Sequence, residues 1–356
     1  MREYLGSPKT NKQTNKQTEY MKNKILATLV AFGLVGSASA VEINENLSIN
    51  GFIDASWSDL DTEKATTTAD SQSLGLDEIE LNFLFNVGNV SGAIHIDDYD
   101  ANDRNSIADG GDYAEDSEID IEQAHFTYTL ENGVSVTMGK YGSKLGFERE
   151  DPAGLFTYSR AYGSSANSGS AFNVGDVDSY VYEGVVVGYT GDVLSLNLSF
   201  HNDGDSNIEG DDLDTELSFS YTGIENLVLG GGFLFDNEGN NAASETDMIN
   251  IHAAYTSGKF LVAAEYSEAD VDGAGSTGDD KLDAYMFLAD YTVSDKMAVA
   301  LRLSSNEVSS TLDYDKLTIA PRYSITESLG AILEFSDIDV GTEDANLVAV
   351  ELTYTF

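Results

Sequence analysis

No cysteine occurs among the 356 residues. Disulfides and thiolate chemistry are therefore excluded, and an exported fold would rest on burial and hydrogen bonding alone. Basic residues are scarce, with 18 Lys and Arg against 62 Asp and Glu. That balance excludes a nucleic-acid binder, because phosphate contacts need cations. Long apolar runs are missing too. The longest, Ile25 to Val35, is far short of the roughly 20 residues a membrane-spanning helix requires. This absence does not exclude a membrane protein, since a closed β-barrel also satisfies every backbone group in lipid.

The short apolar run belongs to a bacterial secretory signal that begins at Met21. Lys22 and Lys24 form its positive region, and Ala38-Ser39-Ala40 is a small-residue cleavage site. Cleavage is expected after Ala40. Residues 1–20 are polar and basic and precede a complete signal, which reads as a misassigned start; an extended leader is the alternative. The expected mature domain is 41–356. Residues 1–40 hold six Lys and Arg and two Asp and Glu, so 41–356 keeps twelve basic and sixty acidic residues, a net charge of −48. Solvated acidic loops, tolerated through screening by salt, account for such a charge. Divalent cations bridging those loops are the alternative, and no other cofactor is expected.

From Leu47 onward, apolar and polar residues alternate in blocks of about ten, separated by Gly, Asn and Asp. This is the pattern of transmembrane β-strands. Sixteen such blocks run from 47–57 and 76–87 through 178–190, 297–305 and 314–324 to 346–356. Tight links such as Gly88-Asn89, Gly191-Asp192 and Ser257-Gly258 take turns with long Asp-rich ones such as Ser58–Gly75, Tyr99–Glu118 and Ala269–Asp280. Short periplasmic turns and long external loops are expected of an outer-membrane barrel, whereas a soluble sandwich has no reason to alternate them. The predicted fold is all-β: a transmembrane antiparallel barrel of about sixteen strands with one lipid face and one polar lumen face.

Aromatic residues support this. Phe85, Tyr128, Tyr189, Tyr221, Tyr255, Tyr291, Tyr323 and Tyr354 fall near the ends of the eight even blocks, each on the apolar side. Aromatic rings at headgroup level form such a girdle. Pro321 fits poorly, because it lies inside a block where a closed barrel needs every N–H paired; a bulge or a shifted boundary is expected there.

The longest link runs from Tyr141 to about Val177. It contains Gly139-Lys140-Tyr141, Gly146-Phe147-Glu148, Pro152 and Tyr158-Ser159-Arg160. Together with Leu76-Asp77-Glu78-Ile79-Glu80-Leu81 and Ile121-Glu122-Gln123-Ala124-His125-Phe126, this stretch resembles the OmpL-like beta-barrel porin-2 family, strongly over about 47–190 and generically afterwards. The resemblance implies a passive channel and supplies no substrate. General sixteen-strand porins are the fallback likeness; in them the third loop folds inward and trimers form. The terminal Tyr354-Thr355-Phe356 resembles the ending by which assembly machinery recognises outer-membrane proteins. Lipid and lipopolysaccharide are the expected surroundings.

Unlike the other links, this third loop carries apolar residues, Leu145, Phe147, Leu155, Phe156, Tyr158 and Tyr162. Long loops with their own hydrophobic content are usually functional. It is expected to fold into the lumen as a constriction made of Lys140, Lys144, Glu148, Arg149, Glu150, Asp151 and Arg160, the carboxylates lining the aperture. An external cap is the alternative. Alternation places Arg302, Lys316 and Arg322 on the lumen wall, along with His125. Acidic loop opposite basic wall would set a transverse field across the pore.

Chemistry finds little footing. His95, His125, His201 and His252 all lie on polar strand sides, and no Gly-x-Ser-x-Gly elbow occurs. Asp203-Gly204-Asp205-Ser206-Asn207 starts like a calcium loop, but Ile208 stands where Gly is required. Asp270-Val271-Asp272-Gly273 is no more specific. The expected function is diffusion of ions and small hydrophilic solutes, weakly cation-preferring and without catalysis. A plugged barrel acting as an adhesin and a barrel hydrolase are the alternatives.

Overall fold

The computed structural model describes residues 40–63, 71–99, 119–148, 152–162, 181–202, 213–236, 244–273, 280–309, 312–341 and 343–356. The expected signal and Arg149, Glu150 and Asp151 lie outside the described residues.

Among the described residues seventeen strands follow one another: β1 (Val41–Asn44), β2 (Leu47–Glu63), β3 (Ser71–Val87), β4 (Val90–Tyr99), β5 (Asp120–Thr129), β6 (Val134–Gly142), β7 (Val181–Thr190), β8 (Leu194–Asn202) and β9 (Asp214–Ile224). Then come β10 (Leu227–Phe235), β11 (Ser244–Ser257), β12 (Phe260–Gly273), β13 (Asp280–Ser294), β14 (Met297–Ser309), β15 (Leu312–Ser324), β16 (Leu329–Val340) and β17 (Glu343–Thr355). A single 3-10 turn, Pro152–Gly154, is the helical element among the described residues. Each strand pairs antiparallel with the next, and β17 pairs with β2 from Asp344↔Glu63 to Thr355↔Phe52. Sixteen strands thus close a barrel that leaves no sheet edge in lipid. The short β1, which the alternation did not reveal, pairs with the start of β2 below the point where β17 ends.

The facing pattern holds at the outer surface. Phe126, Tyr128, Leu196, Phe200, Val350 and Leu352 are exposed, as a lipid-facing row must be. Each of the eight girdle aromatics pairs with the first residue of the preceding strand, from Phe85 opposite Leu47 to Tyr354 opposite Leu329. They therefore stand at one level beside the tight turns. Asn226, Gly88 and Gly258 take positive φ in those turns (63°, 64° and 61°), the left-handed geometry that two-residue hairpins demand.

Three details differ from expectation. Strands run several residues past the alternating blocks at the loop end: β14 and β15 are separated by two residues, as are β16 and β17. Above the bilayer a strand no longer needs an apolar face, so hydrophobic periodicity stops before the hydrogen bonding does. Asp270 to Gly273 accordingly lies within β12 rather than in a loop, and Asp270 pairs with Lys281 at 3.2 Å. Pro321 produces no bulge. It pairs with Val299 on one side, while the ladder to β16 skips Ala320 and Pro321 and resumes at Arg322↔Ile332 in unchanged register.

Candidate functional site

The third loop enters the barrel. Its first turn follows from Tyr141, which is buried and hydrogen-bonded to Ser199 on the inner face of β8 (2.6 Å). Leu145, fully buried, seats among Tyr141, Tyr182, Val186, Leu234 and Met248. Gly232 makes room for it, since a Cβ there would lie 2.7 Å from Leu145 Cδ2 and 2.0 Å from the Leu217 carbonyl oxygen. Backbone and side chain of the loop then meet a succession of wall carboxylates. Ser143 Oγ and the Lys144 N–H donate to Glu216 on β9 (2.5 and 2.9 Å).

Glu265 on β12 ties the two ends of the inserted segment together. It accepts from the Phe147 N–H (2.6 Å) and, 15 residues later, from the Tyr162 hydroxyl (3.1 Å), with Asn250 Nδ2 as a third donor (2.8 Å). Between these points the loop crosses β14, β15 and β16. Arg302 Nη1 donates to Glu148 (2.6 Å), and its Nη2 donates to the carbonyls of Ser159 and Arg160 (both 2.7 Å). Lys316 donates to the Ser159 hydroxyl and lies 3.9 Å from Glu334, which in turn accepts from the Ser159 N–H (3.0 Å). Arg322 pairs with Asp290 (2.5 Å) and stacks over the Phe156 ring at 4.8 Å. The far end of the loop reaches β2, where Ser56 Oγ donates to the Tyr158 hydroxyl (3.2 Å).

These contacts correct the sequence-based site in two ways. Arg302, Lys316 and Arg322 are on the inner wall, but they are buried beneath the loop and paired with Glu148, Glu334 and Asp290. Charges in contact across 2.5 to 3.9 Å neutralise one another locally, so this group cannot set a field across an open gap. Glu148 is a clamp partner, not an aperture lining. Arg160, also buried, contributes its carbonyl to the same clamp. Lys140 is not inside at all. Tyr141 takes the inner face, so its neighbour in the strand must take the outer one, where Lys140 Nζ donates to the Ile121 carbonyl (2.9 Å). Lys144 is exposed and His125 is half-buried on the inner face of β5.

The inner wall is not polar throughout. On β12 to β17 it includes Ala263, Ala284, Met286, Ala300, Ala320, Ile338 and Ala349, all buried, and Phe156, Tyr158, Ala161 and Tyr162 of the loop pack into this cluster. The wall of β2 to β5 is different. There Asp54, Asp77, Glu78, Glu80, Asp97 and Glu122 are buried or half-buried, whereas Leu76, next to Asp77, and Ile121, next to Glu122, are exposed to the outside.

Two β-bulges enlarge this acidic set. The β2–β3 register passes from Asp54↔Glu78 to Ala55↔Leu76, so Asp77 is the extra residue. The β4–β5 register passes from His95↔Gln123 to Ile96↔Ile121, so Glu122 is the extra residue. Each bulge turns two consecutive polar side chains the same way. Strict alternation missed them. The signal was a pair of polar residues between two apolar ones, as in Leu76-Asp77-Glu78-Ile79 and Ile121-Glu122-Gln123-Ala124. Among the described residues, Glu80, His95 and Glu122 are the ionisable trio whose ligand atoms converge, all within 4.8 Å of one another.

The comparisons agree with this architecture. No curated protein sequence matches the chain. Solved structures similar in fold include an anion-selective porin from Comamonas acidovorans, with TM-score 0.63 at 13% identity over 87% of this chain and 99% of that one. The outer membrane channel DcaP of Acinetobacter baumannii matches with TM-score 0.60 at 12% identity over 90% of this chain and 100% of that one. In-vitro folded OmpT of Vibrio cholerae in its trimer form gives 0.59 at 12% identity, over 88% of this chain and 100% of that one. Residues 46–348 match the family described as "Putative beta-barrel porin-2, OmpL-like", and the chain belongs to that family of outer-membrane barrels.

Proposed function

We propose that the chain is a passive diffusion channel that favours cations. The observation that carries this reading is the division of charge inside the barrel. The three wall cations Arg302, Lys316 and Arg322 are spent on carboxylates under the loop, whereas the inner side of β2 to β5 gathers six acidic side chains. The partly exposed inner residues Glu122, Gln123, His125 and Thr127 mark β5 as wall in contact with lumen water. A permeating cation beside this wall meets the carboxylate of Glu122 directly and the negative potential of the buried ones behind it, and an anion is repelled. Small hydrophilic solutes would pass without chemistry.

The same reading places the mature chain at 41–356, exported by a signal cleaved after Ala40 and delivered through recognition of Phe356 by assembly machinery. Its outer surface would meet lipid and lipopolysaccharide. A homotrimer is proposed by analogy with the trimer form of Vibrio OmpT.

Planar-bilayer recording of refolded 41–356 under a KCl gradient tests the proposal. Unitary steps with a reversal potential on the cation side are expected. An anion-side potential would overturn the selectivity, and a folded barrel that shows no steps would overturn the channel itself.

A further inference from the structure

We infer that Glu80, His95 and Glu122 form a site for a divalent transition-metal cation of the zinc class on the inner wall of the barrel. Three adjacent strands supply one ligand each. Asn82 is the cross-strand partner of His95, which sets Glu80 diagonally beside the imidazole on the same face. Gln123 faces His95 from β5, and the bulge next to it delivers Glu122 to the same point. Had β5 continued in regular register, Glu122 would point into lipid, as Ile121 and Phe126 do.

The distances suit a metal. His95 Nδ1 lies 3.1 Å from Glu80 Oε1 and 3.7 Å from Glu122 Oε2. Ligands held about 2.0 to 2.2 Å from a tetrahedral zinc ion stand roughly 3.3 to 3.6 Å apart, so the two observed spacings bracket that edge. Glu122 is steadied by Gln123, whose Nε2 donates to its Oε1 at 3.4 Å and leaves Oε2 for the shared point.

Glu80 points independently to a ligand. Its side chain is 1% exposed, and neither carboxylate oxygen receives a hydrogen bond among the described residues. His95 Nδ1 is close to it but out of hydrogen-bond alignment, and it too has no hydrogen-bond partner. A buried carboxylate in that situation is costly unless a cation compensates it: His95, 3.1 Å away, does so only as an imidazolium, whereas a metal ion does so with the imidazole neutral and both carboxylates engaged. One imidazole and two carboxylates form a donor set that favours zinc-class ions over calcium, which prefers six or more oxygens. His95 and Glu122 keep 20% and 12% of their side-chain surface, which leaves an approach from the lumen for the ion and for a water as fourth ligand.

Calorimetric titration of the refolded barrel with Zn²⁺, in excess Ca²⁺ to occupy the exposed carboxylates, tests the site without reference to conduction. One equivalent should bind. His95→Gln and Glu80→Gln should each weaken binding by about tenfold or more, the scale of losing ligand support at a metal site. His125→Gln, on the same face of β5, should leave the affinity unchanged, and circular dichroism should show all variants folded. Binding that survives both ligand substitutions, or that Ca²⁺ abolishes, would overturn the assignment. Since the titration reads the metal directly, its failure would leave the channel reading standing, and a silent bilayer would leave the metal site standing.

Discussion

The barrel has two unlike sides. From β9 round to β17, the inner wall behaves like the core of a soluble protein. Small apolar residues interleave with a few charged ones, each charged side chain meets a partner, and the loop's aromatic residues fill the space. From β2 to β5 the inner wall is acidic, twice bulged, and open to water at Glu122 and His125. The difference shows that a barrel interior need not be one environment. Burying the loop against one side lets that side supply stability, which frees the other to hold concentrated like charge.

The loop-bearing side is most vulnerable at Arg302. Arg302→Met removes three donors from the loop and leaves Glu148 buried without its cation, a loss of about 3–5 kcal/mol. The expected outcome is a lower thermal midpoint together with proteolytic cutting in 143–162 that the parent resists. Leu145→Ala strikes the same side more gently. Deleting a fully buried leucine costs about 2–5 kcal/mol, less where neighbours such as Met248 collapse into the gap. Denaturant melts should show it with the barrel's secondary structure retained.

On the acidic side the effect should be functional instead. Glu122→Gln removes one unit charge from the water-facing wall. A unit charge acts on an ion about 4 Å away with about 1 kcal/mol in water, so cation preference should fall by no more than about fivefold. The reversal potential should move toward zero while the melting temperature holds. Raising KCl should shrink the difference between Glu122→Gln and the parent, because screening shortens the reach of each charge. The smallest effect is expected at Pro321→Ala. It restores an N–H where the β15–β16 ladder is interrupted, for a gain of about 0.5–1 kcal/mol in thermal stability.

Much of this was readable from the residues themselves. Tyr128 and Phe126 against Thr127 and His125 state which way β5 faces, because period-two alternation has one apolar side to bury in lipid. The loop's inward course was readable from Leu145, Phe156 and Tyr158, residues that water would not retain. The rest depended on information the pattern lacks. A bulge at Asp77 or Glu122 adds one residue and reverses the inference for every residue beyond it. Lys140 was assigned inward by its motif, although its position next to Tyr141 decides its face. The pairing of Arg302 with Glu148 links residues 154 apart in the chain, and local periodicity is silent about contacts of that span.

The seam of the barrel carries a consequence for the order of events. Phe356 and Gly51 exchange both backbone hydrogen bonds (3.1 and 3.2 Å), and β17 supplies the edge of β2 from Phe52 to Glu63, beyond the stretch that β1 covers. From Phe52 to Glu63, therefore, the first long strand stays unpaired on that side until β17 has been brought round to it. Contacts so distant in sequence are slow to form. Until that seam closes the sheet is an open ribbon, and loss of β17 as a whole would leave β2 and β16 with bare edges, an unzipped cylinder rather than a smaller one.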